Sequence, residues 1–237
     1  MKEQLKAWAS HYETPAHIAE DPIQLPDKYR NGDKRDIEIS AFITAWISYG
    51  NRKAIIKKAK EIDTFFGGFP HQFILNNDFE QWKNNGESLY RFYKYADLYD
   101  LCSRLNEIYT RYPDLETCLL ANEYTSPIQK LQYMFTGIKG IPSLDGKSAC
   151  KRLAMFLRWM VRRNSTVDFG IWKNIEPSVL IIPLDTHVYQ QALALKITTR
   201  KTADMCTACE ITDYFKTIYP EDPAKGDFAL FGYDIHS

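Results

Sequence analysis

The sequence contains no apolar run long enough to span a membrane. A membrane-spanning helix needs about 20 consecutive apolar residues, and every apolar stretch in this 237-residue chain is shorter and interrupted by charge. The first residues, Met-Lys-Glu-Gln-Leu-Lys, lack the apolar core of a signal peptide. We therefore expect a soluble, cytoplasmic protein without a membrane partner.

An excess of charge of either sign is also absent. The chain has 30 Lys and Arg against 30 Asp and Glu, so its formal net charge is zero. Global electrostatics therefore does not predict a polyanionic partner. Any surface that binds a nucleic acid has to come from local clustering of cations.

Cysteine is sparse and scattered. The five cysteines are odd in number and widely spaced, which argues against a disulfide framework. Cys206 and Cys209 have the spacing of metal ligands, but no second Cys or Cys/His pair accompanies them. Because a structural zinc site needs four ligands, they are better interpreted as two small buried residues of a helix. We expect no metal, no iron–sulfur cluster and no other cofactor.

Alternating strand patterns are nearly missing as well. Apolar residues recur at helical spacing through most of the chain, and only residues 179–184 have an extended pattern. Repeats, low-complexity tracts and Gly/Ser linkers do not occur. We therefore predict an all-α fold in one compact domain, with helices over residues 37–47, 53–66, 88–112, 126–135, 148–163, 186–195 and 202–218.

The most informative segment that is present is Pro-Leu-Asp-Thr-His-Val at positions 183–188. It follows an apolar extended run and opens a helical pattern, which places Asp185 at a helix N-terminus. A carboxylate there can cap free backbone N–H groups and remain ionised. If a nucleophilic amine lies opposite, the same carboxylate becomes half of an active site.

Residues 148–163 form the clearest helical pattern, with five cations and no acid. Lys151 falls in the first turn, where the helix dipole opposes a positive charge and so favours the free amine that can attack an electrophile. Helical projection predicts a narrow cationic stripe opposite a wide apolar face. A solvated surface without a partner is the alternative interpretation. The stripe consists of Lys151, Met155, Arg158 and Arg162.

Two motifs resemble the helix-hairpin-helix DNA glycosylase superfamily. Lys-Arg-Leu-Ala-Met-Phe-Leu-Arg at positions 151–158 resembles the helix after the hairpin in archaeal-type 8-oxoguanine DNA glycosylases. Leu-Asp-Thr-His-Val at positions 184–188 is similar to the Val-Asp-Thr-His-Val/Ile signature of endonuclease III, and the lysine precedes the aspartate as in that superfamily. Within it, the chain is most similar to a bacterial family without an assigned function, which shares Asp-Phe-Ala-Leu-Phe-Gly at positions 227–232.

The resemblance implies a helical fold of two lobes with a cleft between them. Residues 80–185 would form the middle lobe, with the hairpin and the basic helix, and residues 1–79 with 186–237 the second lobe. The sequence departs from the superfamily at residues 138–147, where the compact Gly-x-Gly hairpin is enlarged or degenerate. The four-cysteine signature of the endonuclease III iron–sulfur cluster is also missing.

The resemblance implies a DNA base-excision repair glycosylase, with or without AP-lyase activity, acting as a monomer on damaged double-stranded DNA. The substrate would be an oxidised purine such as 8-oxoguanine. Lys151 would be the nucleophile, with Lys147 in reserve if the enlarged hairpin shifts the register by one turn, and Asp185 would be the catalytic carboxylate. Residues expected to contact DNA are Asn51, Arg52, Lys147, Ser148, Arg158 and Arg162, and those expected to line a base pocket are Phe169, Trp172 and His187.

Several of these residues have simpler interpretations. His187 can pack against its helix, Phe169 and Trp172 can anchor a loop, and Asn51 can act as a helix cap. At the level of the whole protein, a non-catalytic nucleic-acid-binding protein with the same fold is an alternative function. A structural or regulatory helical protein, in which Asp185 is only an N-cap, is the third.

Overall fold

The computed structural model describes residues 1–236, and these are predominantly helical, which confirms the all-α prediction. A short antiparallel pair is formed by β1 (Ser88–Tyr90) and β2 (Tyr93–Lys94). Single 3-10 turns occur at Asp78–Trp82, Pro177–Val179 and Pro223–Lys225. The α-helices of this part of the chain, α1 to α13 in order, are Lys2–Tyr12, Pro15–Glu20, Gln24–Asp27, Lys34–Ile47, Arg52–Phe65, Pro70–Leu75, Tyr95–Arg111, Leu115–Leu120, Pro127–Met134, Lys151–Val161, Thr186–Ala194, Met205–Lys216 and Gly226–His236.

The chain divides into two compact units. The terminal unit comprises Met1–Glu20 and Asp145–Ser237, and the middle unit comprises Asp21–Leu144. These boundaries differ from the predicted lobes, which separate residues 80–185 from both chain ends. In the observed division, Lys151 and Asp185 belong to the same unit as the first and last helices, whereas the predicted lobes separate them from those helices.

The middle unit is built around α4, whose residues from Ile37 to Ile47 are all buried. Phe42 stacks on Phe135 with ring centroids 4.0 Å apart. The buried carboxylate of Glu38 accepts hydrogen bonds from the Tyr109 hydroxyl at 2.9 Å and the Leu115 backbone N–H at 3.0 Å. A helix that is apolar nearly all round therefore becomes the core of this unit, as its composition requires.

The predicted helix over residues 88–112 begins later than its apolar pattern indicates. Residues 88–94 form the β1–β2 hairpin instead, and Arg91 at its turn has a φ of 55°, in the left-handed region. The Asp97 carboxylate accepts a hydrogen bond from the Lys94 backbone N–H at 2.6 Å, so helix α7 starts at Tyr95. The aromatic spacing alone does not show this break.

In the terminal unit, α10 is buried along almost its whole length, and α13 packs against both α1 and α11. The segment predicted to be extended, residues 179–184, pairs with no strand among the described residues. It is held instead by a hydrogen bond from the Ile182 backbone N–H to the Thr212 hydroxyl of α12, at 3.0 Å. The segment is largely buried from Leu180 to Leu184, and it leads directly to Asp185 at the start of α11.

Among residues 1–236, no helix has the length and apolar composition needed to cross a bilayer.

Candidate active site around Lys151 and Asp185

The first turn of α10 is fixed by the backbone that precedes it. Ser148 forms an isolated antiparallel bridge with Asp204, and the Lys147 carbonyl accepts a hydrogen bond from the Met205 N–H at 3.2 Å. Cys150, the N-cap of α10, is in the left-handed region with a φ of 50°. Lys151 therefore stands at the first position of a helix whose start is tied to the start of α12.

Asp185 is the N-cap of α11, as the sequence predicts. Its Oδ1 atom accepts a hydrogen bond from the Val188 backbone N–H at 2.9 Å, and its carbonyl accepts one from Tyr189 N–H, also at 2.9 Å. The preceding residue, Leu184, is buried and anchors the chain at this point. The carboxylate is thus held with one oxygen committed to the helix end.

The second oxygen of Asp185 faces Lys151. Asp185 Oδ2 lies 3.6 Å from Lys151 Nζ, and the two side chains keep 36% and 34% of their surface exposed. The predicted partnership of the two residues is therefore present in the geometry. The two groups form an ion pair with each other, and both remain accessible to a molecule in solution.

A third charged group, Asp227, belongs to the same cluster. It lies in the first turn of α13 and pairs with the Arg158 guanidinium, and one fifth of its side chain is exposed. Burial raises the pKa of Asp227 to about 6, and the nearby negative charge of Asp185 adds to the rise, while Arg158 and Lys151 oppose it. A carboxyl group that titrates near pH 6 therefore adjoins the Lys151–Asp185 pair.

Sequence reasoning did not select Asp227 as a site residue. One signal was available: Lys151 and Arg158 are two turns apart on the same face of α10. An acid that pairs with Arg158 can therefore also face Lys151, and Asp227 interacts with both cations. What the sequence lacked was any indication that this acid comes from a segment about 70 residues away.

The titration of Asp227 predicts a pH dependence of stability. Its pKa is raised from 3.8 to about 6 in the folded protein, so the native state holds this proton more tightly than the unfolded state does. The protonated Asp227 side chain therefore stabilises the folded protein fully below about pH 4, and this contribution is lost as the pH rises through about 6. We expect the free energy of unfolding of the wild type, minus that of Asp227→Asn, to fall by about 2 to 3 kcal/mol between pH 4 and pH 7. Urea unfolding at several pH values measures it; a difference that stays constant or rises contradicts the assignment.

Comparison with known proteins gives one match. Residues 21–236 match the family described as Protein of unknown function (DUF2400), and this segment includes Lys151, Asp185 and Asp227. The chain belongs to the DUF2400 family. No curated protein and no solved structure matches it.

Two cations predicted to contact DNA are buried in this DUF2400 chain. Arg158 and Arg162 are 4% and 1% exposed, and both pair with the buried carboxylate of Asp168. Arg162 also pairs with Asp222 and with Glu13, each at 2.8 Å. The prediction that they neutralise phosphates is therefore wrong, because acids from distant segments already neutralise them. Of the predicted stripe, only Lys151 reaches the surface.

The three residues predicted to line a base pocket differ in how much of each is exposed to solvent. Trp172 is fully buried and its ring meets that of Phe156 edge-on at 5.4 Å, so it anchors a loop and the prediction that it stacks on a base is wrong. Phe169 is half-buried, and its backbone N–H donates to the Trp159 carbonyl at 2.8 Å. His187 is exposed in the first turn of α11, two residues after Asp185. Its predicted place in a base pocket stays a prediction.

The remaining predicted DNA contacts lie at the surface. Lys147 and Ser148 are exposed just before α10, and the Ser148 hydroxyl accepts a hydrogen bond from the Cys150 N–H at 3.1 Å. In the middle unit, Asn51 caps α5 through a hydrogen bond from the Ala54 N–H at 3.2 Å, and Arg52 is exposed beside it. Contact with DNA stays a prediction for these four residues.

The predicted hairpin, residues 138–147, contains turns at 139–140 and 144–145 and no helix, and the boundary between the two units falls within it.

All five cysteines of the chain are free thiols. Cys206 is exposed and Cys209 half-buried on α12, so the prediction that both are buried is wrong. In residues 1–236, no group of three or more His, Cys, Asp or Glu side chains is placed to hold a metal ion.

Proposed function

We propose that this protein is a DNA glycosylase of the helix-hairpin-helix type with AP-lyase activity, which uses Lys151 as nucleophile and Asp185 as catalytic carboxylate. The observation that supports it most directly is the 3.6 Å separation of Lys151 Nζ and Asp185 Oδ2 in a partly exposed pair. A merely structural ion pair at a helix cap does not require both groups to be open to solution. The choice of an oxidised purine such as 8-oxoguanine rests on the resemblance of residues 151–158 to the archaeal-type enzymes.

The proposed role of Lys151 is nucleophilic attack on the deoxyribose. A target nucleotide is flipped out of the duplex so that its sugar reaches the amine. The nitrogen lone pair forms a bond to C1′, and the bond from C1′ to the base breaks, with the electron pair leaving on the base, which takes up a proton. Opening of the sugar ring at C1′ then gives a protonated Schiff base between Lys151 and the deoxyribose. Abstraction of a C2′ proton from this intermediate leads to cleavage of the strand at the 3′ phosphate.

The proposed role of Asp185 is electrostatic. Positive charge develops at C1′ as the base departs, and a fixed carboxylate beside that carbon stabilises it. Because Oδ1 is held by the Val188 N–H, Oδ2 is oriented toward Lys151 before substrate arrives. The ammonium of Lys151, which is 34% exposed, loses its proton to solvent before it attacks, so Asp185 keeps its negative charge for this step.

Trapping with sodium borohydride tests the proposal. An oligonucleotide duplex with one abasic site presents an aldehyde, which condenses with an amine and releases water; hydride then reduces the C=N bond to a stable amine. We expect a covalent protein–DNA adduct that maps to the peptide containing Lys151. A second duplex with one 8-oxoguanine tests the substrate separately. Tight binding without any adduct would favour the non-catalytic alternative.

Asp185→Asn separates the catalytic role of this residue from its role as a cap. Asparagine is as good an N-cap as aspartate, so we expect the free energy of unfolding to change by less than about 1 kcal/mol. Loss of the negative charge is expected to slow adduct formation with the 8-oxoguanine duplex, where a base must depart, by about 100-fold or more. The rate of trapping and a urea unfolding curve measure the two effects on the same protein.

Asp114→Asn is the matched control. Asp114 caps α8 through the Thr117 N–H at 2.7 Å and also pairs with Lys34 Nζ at 3.0 Å, so it repeats the cap and lysine arrangement in the middle unit. We expect this variant to trap at the wild-type rate. Equal slowing by the two substitutions would show that Asp185 acts through stability alone.

A further inference from the structure

Two aromatic rings of the middle unit stand side by side at the surface. Tyr49 and Phe92 are 50% and 45% exposed, and their ring centroids are 5.4 Å apart in an edge-to-face contact. Tyr49 follows the end of α4, and Phe92 lies at the turn between β1 and β2. Exposed rings alone are common at protein surfaces, so this pair points to a partner only together with the charged groups beside it.

One of the two exposed rings, Phe92, rests on a buried aromatic pair. The ring centroid of Phe92 lies 4.4 Å from that of Tyr93, and the Tyr93 centroid lies 4.1 Å from that of Trp46. The Trp46 indole N–H donates to the Lys139 carbonyl at 2.7 Å, and the Tyr93 hydroxyl donates to the Trp46 carbonyl at 3.2 Å. Phe92 is therefore held in place before a partner arrives, and Tyr49 packs against it, which lowers the entropy lost on binding.

A guanidinium completes the aromatic surface. Arg91 lies over the Tyr49 ring, 5.1 Å from its centroid. It also lies against Gly50, because a Cβ added to that glycine would clash with Arg91 Nη1. Glycine at position 50, with a φ of 101°, thus leaves room for a cation between the aromatic rings and the start of α5.

The neighbouring helix α5 supplies a row of cations. No acidic residue occurs between positions 51 and 60. Lys53, Lys57 and Lys60 are exposed and recur at intervals of four and three residues, so they share one face of the helix, and Arg52 is exposed beside them. In a chain with zero net charge, this is a local cluster of positive charge, adjacent along the chain to the exposed rings.

We propose that this surface binds single-stranded DNA, with unpaired bases stacked on Tyr49 and Phe92 and phosphates held by Arg91 and the α5 cations. A nucleic acid strand offers both regularly spaced anions and flat aromatic faces, and this is the combination that the surface complements. The proposal goes beyond the glycosylase function, because it uses none of the Lys151 chemistry. It assigns to the middle unit a strand-binding role of its own.

Fluorescence anisotropy of a labelled 15-nucleotide strand, titrated with the full chain at several salt concentrations, tests the proposal. We expect Phe92→Ala to weaken binding by about 5- to 150-fold without changing its salt dependence, since it removes a stacking face only. Lys53→Ala and Lys57→Ala are each expected to reduce the slope of log affinity against log salt by about 0.7. Both kinds of variant alter exposed side chains, and circular dichroism checks that they fold.

Tyr133→Ala is the matched control. Tyr133 is 54% exposed in the same unit and also contacts a second tyrosine, Tyr124, at 5.5 Å. We expect it to bind the strand as the wild type does. Wild-type affinity in Phe92→Ala, equal weakening in Tyr133→Ala, or equal competition by an unlabelled 15-base-pair duplex would each overturn the proposal. Because no reaction is followed, a failure here is distinguishable from a failure of trapping at Lys151.

Discussion

The Lys151→Gln variant is expected to form no borohydride-trapped adduct with abasic DNA, a loss of about 1,000-fold or more in the rate of trapping. The amide nitrogen of glutamine is not nucleophilic, because its lone pair is delocalised, so the bond to C1′ cannot form. The glutamine side chain is of similar size and can still donate a hydrogen bond to Asp185. We therefore expect the free energy of unfolding to change by no more than about 1 kcal/mol, as for other exposed ion pairs.

Lys147→Gln is the control for the position of the nucleophile. Lys147 is exposed four residues before Lys151, and its carbonyl, rather than its side chain, takes part in the contact with α12. At saturating DNA this variant is expected to retain the adduct. An adduct that is lost in Lys147→Gln and kept in Lys151→Gln would move the nucleophile to Lys147. An adduct that both variants keep would remove the lysine chemistry from this site.

The Asp168→Asn variant is expected to be less stable than the wild type by about 3 to 5 kcal/mol. The Asp168 carboxylate is fully buried between two guanidinium groups, 3.3 Å from Arg158 Nε and in direct contact with Arg162. Its removal leaves buried positive charges without sufficient neutralisation, whereas the amide keeps the volume and one acceptor. Since folded domains are stable by only 5 to 15 kcal/mol, we expect a large shift of the urea midpoint or a failure to fold.

Asp213→Asn is the matched control for Asp168. Asp213 pairs with Lys216 at 2.9 Å on the outside of α12, and two thirds of its side chain is exposed. We expect this substitution to change stability by less than about 0.5 kcal/mol, because surface pairs of this kind contribute little. A wild-type urea midpoint in Asp168→Asn would contradict the structural role assigned to the buried network.

Most of the helices could be predicted from apolar periodicity and caps. The predictions for residues 37–47 and 53–66 compare with observed helices at Lys34–Ile47 and Arg52–Phe65. Periodicity does not fix the first turn, which at α4 carries charged residues and begins at the Asp33 cap. The β1–β2 hairpin escaped prediction because the left-handed conformation of Arg91 has no Gly or Asn signal in the sequence.

The candidate site was predictable where its residues are local in sequence. Asp185 follows from a cap motif, and Lys151 from the first turn of a strongly patterned helix. The burial of Arg158 and Arg162 could not be predicted, because helical projection shows only which face they occupy. Their partners, Glu13, Asp168, Asp222 and Asp227, come from three separate segments that the fold brings together.

The Glu13–Arg162 pair also bears on where this protein can be trimmed. The segment that matches the DUF2400 family starts at residue 21, but Glu13 lies at the end of α1, which packs along α13. A recombinant fragment cut at the family boundary would discard that helix and one of the acids that neutralise Arg162. We therefore expect a fragment that begins at residue 21 to be less stable than the full chain, although it contains the whole segment that matches the family.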